Sequence, residues 1–151
     1  MALEIRELIS DVDIEAAFQV MAELRARVRL ETFLAEVRRQ QLEGYRLIGA
    51  FDEGALVALA GIRRSHTLSR GEHLFVDDLV TTETRRGDGC GTALLRWLAA
   101  RAKAQGVSRI YLDSRATARG FYEQLGFEMM TSIPCRIDVE RLLQVPDAKA
   151  R

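Results

Sequence analysis

Cysteine and histidine are scarce, with two of each in 151 residues. Cys90 and Cys135 lie far apart with no histidine at ligand spacing, so no metal site is expected. A disulfide between them would need an oxidising setting that nothing else in the chain suggests. Charge of one sign is also lacking: Lys+Arg and Asp+Glu both number 22, for a formal net charge of zero. Phosphate-backbone binding wants a basic excess, so nucleic acid is not expected as a partner. No apolar run approaches the roughly 18 residues that span a bilayer. The first residues, MALEIRELISDVDIE, carry charge where a secretory leader would be apolar. Internal repeats and low-complexity segments are absent as well. The expectation is a reducing, cytoplasmic setting with no membrane and no metal.

What is present is an ordinary globular composition, 48% apolar, at a length that suits one domain. Leu3 to Leu8 alternates apolar and charged residues and reads as a strand. Ser10 or Asp11 can cap the helix that follows, in which Ile14, Ala17, Phe18, Met21 and Leu24 recur at helical spacing. A second helix carries Leu30, Phe33, Leu34 and Val37 on one face and stops at Gly44. Tyr45 to Phe51 and Ala55 to Arg63, joined by Asp52-Glu53-Gly54, read as a hairpin. Leu74 to Thr81 is another strand. Ala93 to Ala104 is a helix closed by Gly106, Arg109 to Asp113 a short strand, and Thr117 to Leu125 a helix closed by Gly126. Phe127 to Thr131 and Pro134 to Val139 read as the last strands. The order β-α-α-β-β-β-α-β-α-β-β predicts an α+β fold around a central sheet, with a polar tail after Pro146.

The segment LVTTETRRGDGCGTALLRWL carries the chemistry. A strand ends near Thr82, a glycine-dense loop follows, and a helix starts by Thr92. Gly87, Gly89 and Gly91 permit positive φ and close backbone approach. The new helix then offers free N–H groups and a positive dipole end. Together these form a cradle for phosphate or pyrophosphate, and Arg85 and Arg86 add charge. A Walker loop would end in Gly-Lys-Ser/Thr, and a dinucleotide fingerprint would read Gly-x-Gly-x-x-Gly; neither is present. The plain alternative is a flexible turn between strand and helix.

Arg86-Gly87-Asp88-Gly89-Cys90-Gly91 resembles the Arg/Gln-x-x-Gly-x-Gly/Ala signature of the GNAT superfamily of acetyltransferases. Phe121-Tyr122-Glu123-Gln124-Leu125-Gly126-Phe127 is similar to the family's aromatic pair before a helix-ending Leu-Gly-Phe, and Asp77-Asp78-Leu79-Val80 to its acidic pair. The resemblance covers residues 3–140, leaving 141–151 as a tail. It implies a mixed, mostly antiparallel sheet flanked by helices, and acetyl-CoA as cosubstrate without a metal. In that reading Leu79, Val80 and Thr81 lend backbone groups to the pantetheine arm, and the loop of Arg86, Gly87, Asp88, Gly89, Cys90, Gly91 and Thr92 holds the pyrophosphate. The strand at Arg109 to Asp113 splays from its neighbour to admit the thioester, and Tyr122 is the acid facing the departing sulfur. The reaction implied is N-acetylation of a primary amine on a small molecule or peptide; the alternative is a non-catalytic acyl-CoA-binding regulator. A homodimer is a common arrangement in the family.

Amine attack on a thioester needs a proton donor for the thiolate and an acceptor for the ammonium proton. Asp77 is the first candidate for the acceptor and Asp78 the second. Strict alternation along a strand would let only one of them face the site. Arg115 stands where relatives carry Asn, and it either meets a CoA phosphate or faces solvent. Cys90 is expected to pack as a small hydrophobe. His66 and His73 are expected in a polar loop (Ser65 to Glu72). Arg25, Arg27 and Arg29 read as a solvated helix end, and Trp97 as core packing.

Overall fold

A computed structural model describes residues 2–147. These fall into two compact units, one ending at Arg115 and one beginning at Ala116. The first unit holds β1 (Glu4–Glu7), α1 (Asp11–Ala16), α2 (Phe18–Leu24), α3 (Leu30–Gln41), β2 (Tyr45–Asp52), β3 (Ala55–Thr67), β4 (Gly71–Thr81), α4 (Cys90–Ala104) and β5 (Ile110–Leu112). The second holds α5 (Arg119–Gln124) and α6 (Val139–Gln144). The sheet runs β1-β2-β3-β4-β5. All its pairs are antiparallel except β4 and β5, which α4 joins as a parallel crossover. The class is the α+β one expected.

Local chemistry accounts for most boundaries. Ser10 caps α1, its hydroxyl accepting from the Asp13 N–H at 3.2 Å. The helix expected over residues 14–24 is split, because Ala17 N–H turns to Ile14 O at 3.0 Å, a three-residue bond that interrupts the four-residue ladder. The β2–β3 hairpin turns at Glu53 (φ 48°) and Gly54 (φ 82°), two consecutive left-handed residues of the kind that match strand twist. Leu8, Ile14, Met21, Phe33, Val37, Leu47 and Leu59 form the heart of one apolar cluster under α1–α3. Buried α4 residues Cys90, Leu94, Leu95, Leu98 and Ala102 recur on one helical face. Leu47 to Ala50 are consecutively buried, so β2 is covered on both faces.

Two expectations fail here. The hairpin joining β3 and β4 is longer than read, with its turn at Leu68–Arg70. It therefore takes both histidines into strands, and His73 is buried rather than solvated, its Nδ1 2.9 Å from Gly71 O. The last two strands do not form either: among the described residues, 127–138 is irregular and Val139–Gln144 is a helix. A strand exists only with a ladder partner, and among the described residues the sole backbone bond made by an N–H of residues 127–138 runs from Phe127 to Tyr122 O, a helix-end contact at 3.0 Å.

Candidate active site

The glycine loop starts where β4 ends. A short 3₁₀ turn (Glu83–Arg85) is followed by extended Arg86, and then Gly87 (φ 86°) and Gly89 (φ 83°) take left-handed backbone. Gly89 is the N-cap of α4, whose ladder begins with Ala93 N–H to Gly89 O at 3.0 Å. The N–H groups of Gly89, Cys90, Gly91 and Thr92 precede that ladder. Asp88 N–H already meets Arg85 O at 3.3 Å. A Cβ on Gly87 or Gly89 would find nothing within 4 Å, so the space beside the loop is open. With 15 residues behind it, the α4 terminus carries a full dipole end. These features fit a pyrophosphate. Arg85 bridges Asp52 and Asp88, each at 2.9 Å, and stiffens the turn. Arg86 lies exposed, its Nε 3.4 Å from Thr81 O. Cys90 is buried, and burial pushes its thiol pKa up.

Upstream on β4 is a cavity of about 460 Å³. Met21, Val28, Phe33 and Val37 make its apolar wall; Glu36, Glu43, Asp77 and Asp78 bring carboxylates, with Arg25, Arg63 and Tyr45 beside them. Both aspartates therefore face it, against the alternation expected. The cause is a β-bulge. Gly61 pairs with Asp78 but Ile62 pairs with Val76, so Asp77 is an extra residue on β4. One inserted residue resets the side-chain parity and turns two neighbours to one face.

Each carboxylate is held differently. Asp77 receives a two-point fork from Arg63, Nε at 2.6 Å and the terminal nitrogen at 2.8 Å. Asp78 accepts from Arg25 Nε on Oδ1 at 2.8 Å and from the Tyr45 hydroxyl on Oδ2 at 2.6 Å. Arg25 is thus not a solvated helix end: it caps α2 and also reaches Asp77 O at 2.7 Å. Tyr45 is buried, and burial and then the Asp78 charge drive its pKa far above the ordinary tyrosine value. The edge of β4 opens just here. β5 pairs with β4 only from Leu74 to Val76, so Asp77 to Thr81 run on without a β5 partner. Arg115 donates to Leu24 O at 3.0 Å, an anchor on a backbone carbonyl.

In the second unit, Tyr122 is buried on α5 with its ring edge-on to Phe121 (5.0 Å) and Phe127 (5.3 Å). Burial raises the pKa of its phenol.

The model described as the acetyltransferase (GNAT) family matches residues 12–127. The chain belongs to the GNAT family of acetyltransferases. It is 32% identical over 130 residues to YhdJ, an uncharacterized N-acetyltransferase of Bacillus subtilis, across 83% of this chain and 92% of that one. Among solved structures it resembles a transcriptional regulator from Bacillus halodurans with a TM-score of 0.76 at 26% identity, covering 91% of this chain and 99% of that one. An aminoglycoside N-acetyltransferase, AAC(6′)-Iy, solved with CoA, gives a TM-score of 0.78 at 15% identity over 91% of this chain and 95% of that one. The last likeness speaks to fold alone.

Several residues of this N-acetyltransferase escaped sequence reading. Tyr45 and Arg63 gave no local signal, since a cross-strand partner fourteen or more residues away leaves no spacing to read. Gly61, inside an apolar strand, was the available hint, because a glycine there marks a bulge or a close approach. Trp97 is half-buried rather than core, with the Arg101 guanidinium 4.9 Å from its ring. No helix among the described residues is long and apolar enough to cross a membrane.

Proposed function

We propose that this enzyme transfers an acetyl group from acetyl-CoA directly to a primary amine. The observation that carries the reading is on one strand: β4 brings the paired carboxylates of the cavity and then a free edge to the glycine cradle of α4. Bound acetyl-CoA supplies an acetyl thioester whose carbonyl carbon takes the amine nitrogen as its C–S bond breaks. The loop from Arg86 to Thr92 holds its pyrophosphate through backbone N–H groups at the helix start. Leu79, Val80 and Thr81 take the pantetheine arm along the open edge as an added strand would pair. Tyr122 gives its proton to the departing sulfur; a phenol is protonated at neutral pH, as an acid requires. A carboxylate of the Asp77–Asp78 pair receives the proton that the ammonium must lose.

The acceptor is a small-molecule or peptide amine. The cavity offers an apolar wall for its carbon skeleton and carboxylates for its nitrogen. A cytoplasmic enzyme fits this chemistry, since acetyl-CoA is an intracellular metabolite. The test is incubation with acetyl-CoA and a panel of alkylamines, diamines, aminosugars and short peptides, following CoA thiol release and acetylated product by mass spectrometry. Turnover with at least one amine is expected. CoA binding with no product from any of them would favour the non-catalytic regulator.

A further inference from the structure

We propose that Tyr45 is a positioning residue for acetyl transfer: its hydroxyl sets Asp78 as the carboxylate that takes the acceptor's proton, and Gly61 leaves the room that this bond needs. The proposal rests on the acetyltransferase reading and adds which carboxylate acts and what holds it.

The two aspartates differ in what their partners can do. The guanidinium of Arg63 occupies both oxygens of Asp77 and can only donate, so protonating Asp77 would set a new O–H against a fixed cation. Asp78 also meets a cation, Arg25, but on Oδ1 alone; its Oδ2 is held by a phenol, which both donates and accepts. When Asp78 gains a proton, the Tyr45 hydroxyl can rotate and accept from it. The bond therefore survives in both states, which a proton acceptor in turnover needs. Asp78 is also better shielded, its side chain 12% exposed against 26% for Asp77. A shielded carboxylate attracts an ammonium more strongly than a wet one. In the step, an N–H bond of the ammonium breaks and its electron pair stays on nitrogen. The proton goes to Asp78 and then to water, restoring the carboxylate.

Gly61 explains how the pair fits. It sits opposite Leu47 on one side and Asp78 on the other. A Cβ built there would lie 2.5 Å from Asp78 Oδ2 and from Tyr45 Cζ, and would strike Tyr45 Oη. The strand does not need glycine for its φ, which is not in the left-handed region. It needs the empty slot, and the Tyr45–Asp78 bond fills it.

The test has a spectroscopic and a kinetic arm. A buried phenol proton held on a carboxylate should give a slowly exchanging, downfield ¹H resonance in wild type. It should vanish in Tyr45→Phe and be lost or strongly shifted in Gly61→Ala. The kinetic probes are 2-phenylethylamine and 1,4-diaminobutane, which bracket the apolar and acidic walls. With an amine that is acetylated, Tyr45→Phe should lower kcat about 10- to 100-fold, with KM for acetyl-CoA within about twofold, and Asp78→Asn should lower it about 10²- to 10⁴-fold. Asp77→Asn should fall at least about tenfold less than Asp78→Asn. Because Tyr45 acts through Asp78, the double variant should be no slower than Asp78→Asn alone. Full additivity in the double variant, or an Asp77→Asn loss equal to that of Asp78→Asn, would overturn the proposal. Should Gly61→Ala not fold, the Tyr45 and Asp78 variants, which keep their volumes, still decide it. A resonance that is present in a protein acetylating none of the tested amines would defeat the acetyltransferase reading, and with it the catalytic role of the pair.

Discussion

Replacing Gly89 by alanine adds one carbon at the N-cap of α4, and its two effects separate cleanly. Gly89 has φ 83° and ψ 11°, and its new Cβ would meet nothing within 4 Å. The cost to the free protein is therefore conformational only, about 1–2 kcal/mol for an L residue in the left-handed region. Alanine also stiffens the unfolded chain, which returns about 0.4–1 kcal/mol. The net loss is at most about 1.6 kcal/mol, or up to roughly 6 °C in Tm for a chain of this size. Binding should suffer far more. The same carbon occupies the space in which a phosphate would approach the N–H groups of Gly89 to Thr92, and each charge-assisted bond lost is worth about 1.5–3 kcal/mol. Losing one weakens CoA about 10- to 150-fold, and losing two weakens it beyond what calorimetry will detect at ordinary concentrations. Gly89→Val makes both effects larger, since a β-branched residue tolerates positive φ worst. The assay is a thermal melt beside calorimetric titration with CoA. A folded Gly89→Val protein that binds CoA as wild type does would refute the cradle. A Tm drop well beyond 6 °C for Gly89→Ala would show that the glycine is needed by the fold itself.

Tyr122→Phe removes one hydroxyl with little packing; kcat should fall about 10²- to 10⁴-fold while acetyl-CoA affinity holds. A rate within about threefold of wild type, with chemistry rate-limiting, would count against the acid role. Cys90 should resist a bulky thiol reagent in the native protein, because it is buried and burial raises its pKa; rapid labelling that bound CoA blocks would show an outward thiol instead. Tyr45 makes a prediction at alkaline pH. Its folded pKa lies above the unfolded value, so its contribution is fully present below about pH 10 and declines as pH rises, since only the unfolded state then sheds the proton. Between pH 10 and 11.5 wild type should lose up to about 1.4 kcal/mol per pH unit more than Tyr45→Phe in denaturant melts. Parallel curves for the two proteins would mean that Tyr45 is not held neutral in the fold.

What could be read from the sequence was whatever short-range chemistry decides. The Ser10 cap, the Glu53-Gly54 turn, the apolar face of α4 and the glycine loop each depend on residues within a few positions of one another. They were found close to where the structure has them. The misreadings share the opposite property. Whether 127–138 forms strands depends on a ladder partner, and alternation in those residues says nothing about whether one is offered. His73 looked polar and loop-like because its burial is supplied by Tyr111, whose ring lies 5.2 Å away from a strand 38 positions on. Arg25 looked solvated because Asp78 is 53 residues distant. Ion pairs between elements are invisible to periodicity.

The bulge at Asp77 shows most directly how such a long-range feature bears on the candidate chemistry. With unbroken pairing, Asp78 would point to the face opposite Asp77, and of the pair the cavity under α2 and α3 would keep only Asp77, tied to Arg63. One extra residue brings the second carboxylate round to Tyr45. The same strand then passes the last residue that β5 can pair and leaves Asp77 to Thr81 with an open edge. A bulge only turns side chains, however, and the slot they turn into must be vacant. Gly61, directly across from Asp78, provides that vacancy. The acidic pair, the glycine on the facing strand and the buried tyrosine one strand further are therefore a single arrangement. Its parts are scattered over residues 45, 61, 77 and 78. Changing Tyr45 or Gly61 should therefore alter how Asp78 is held.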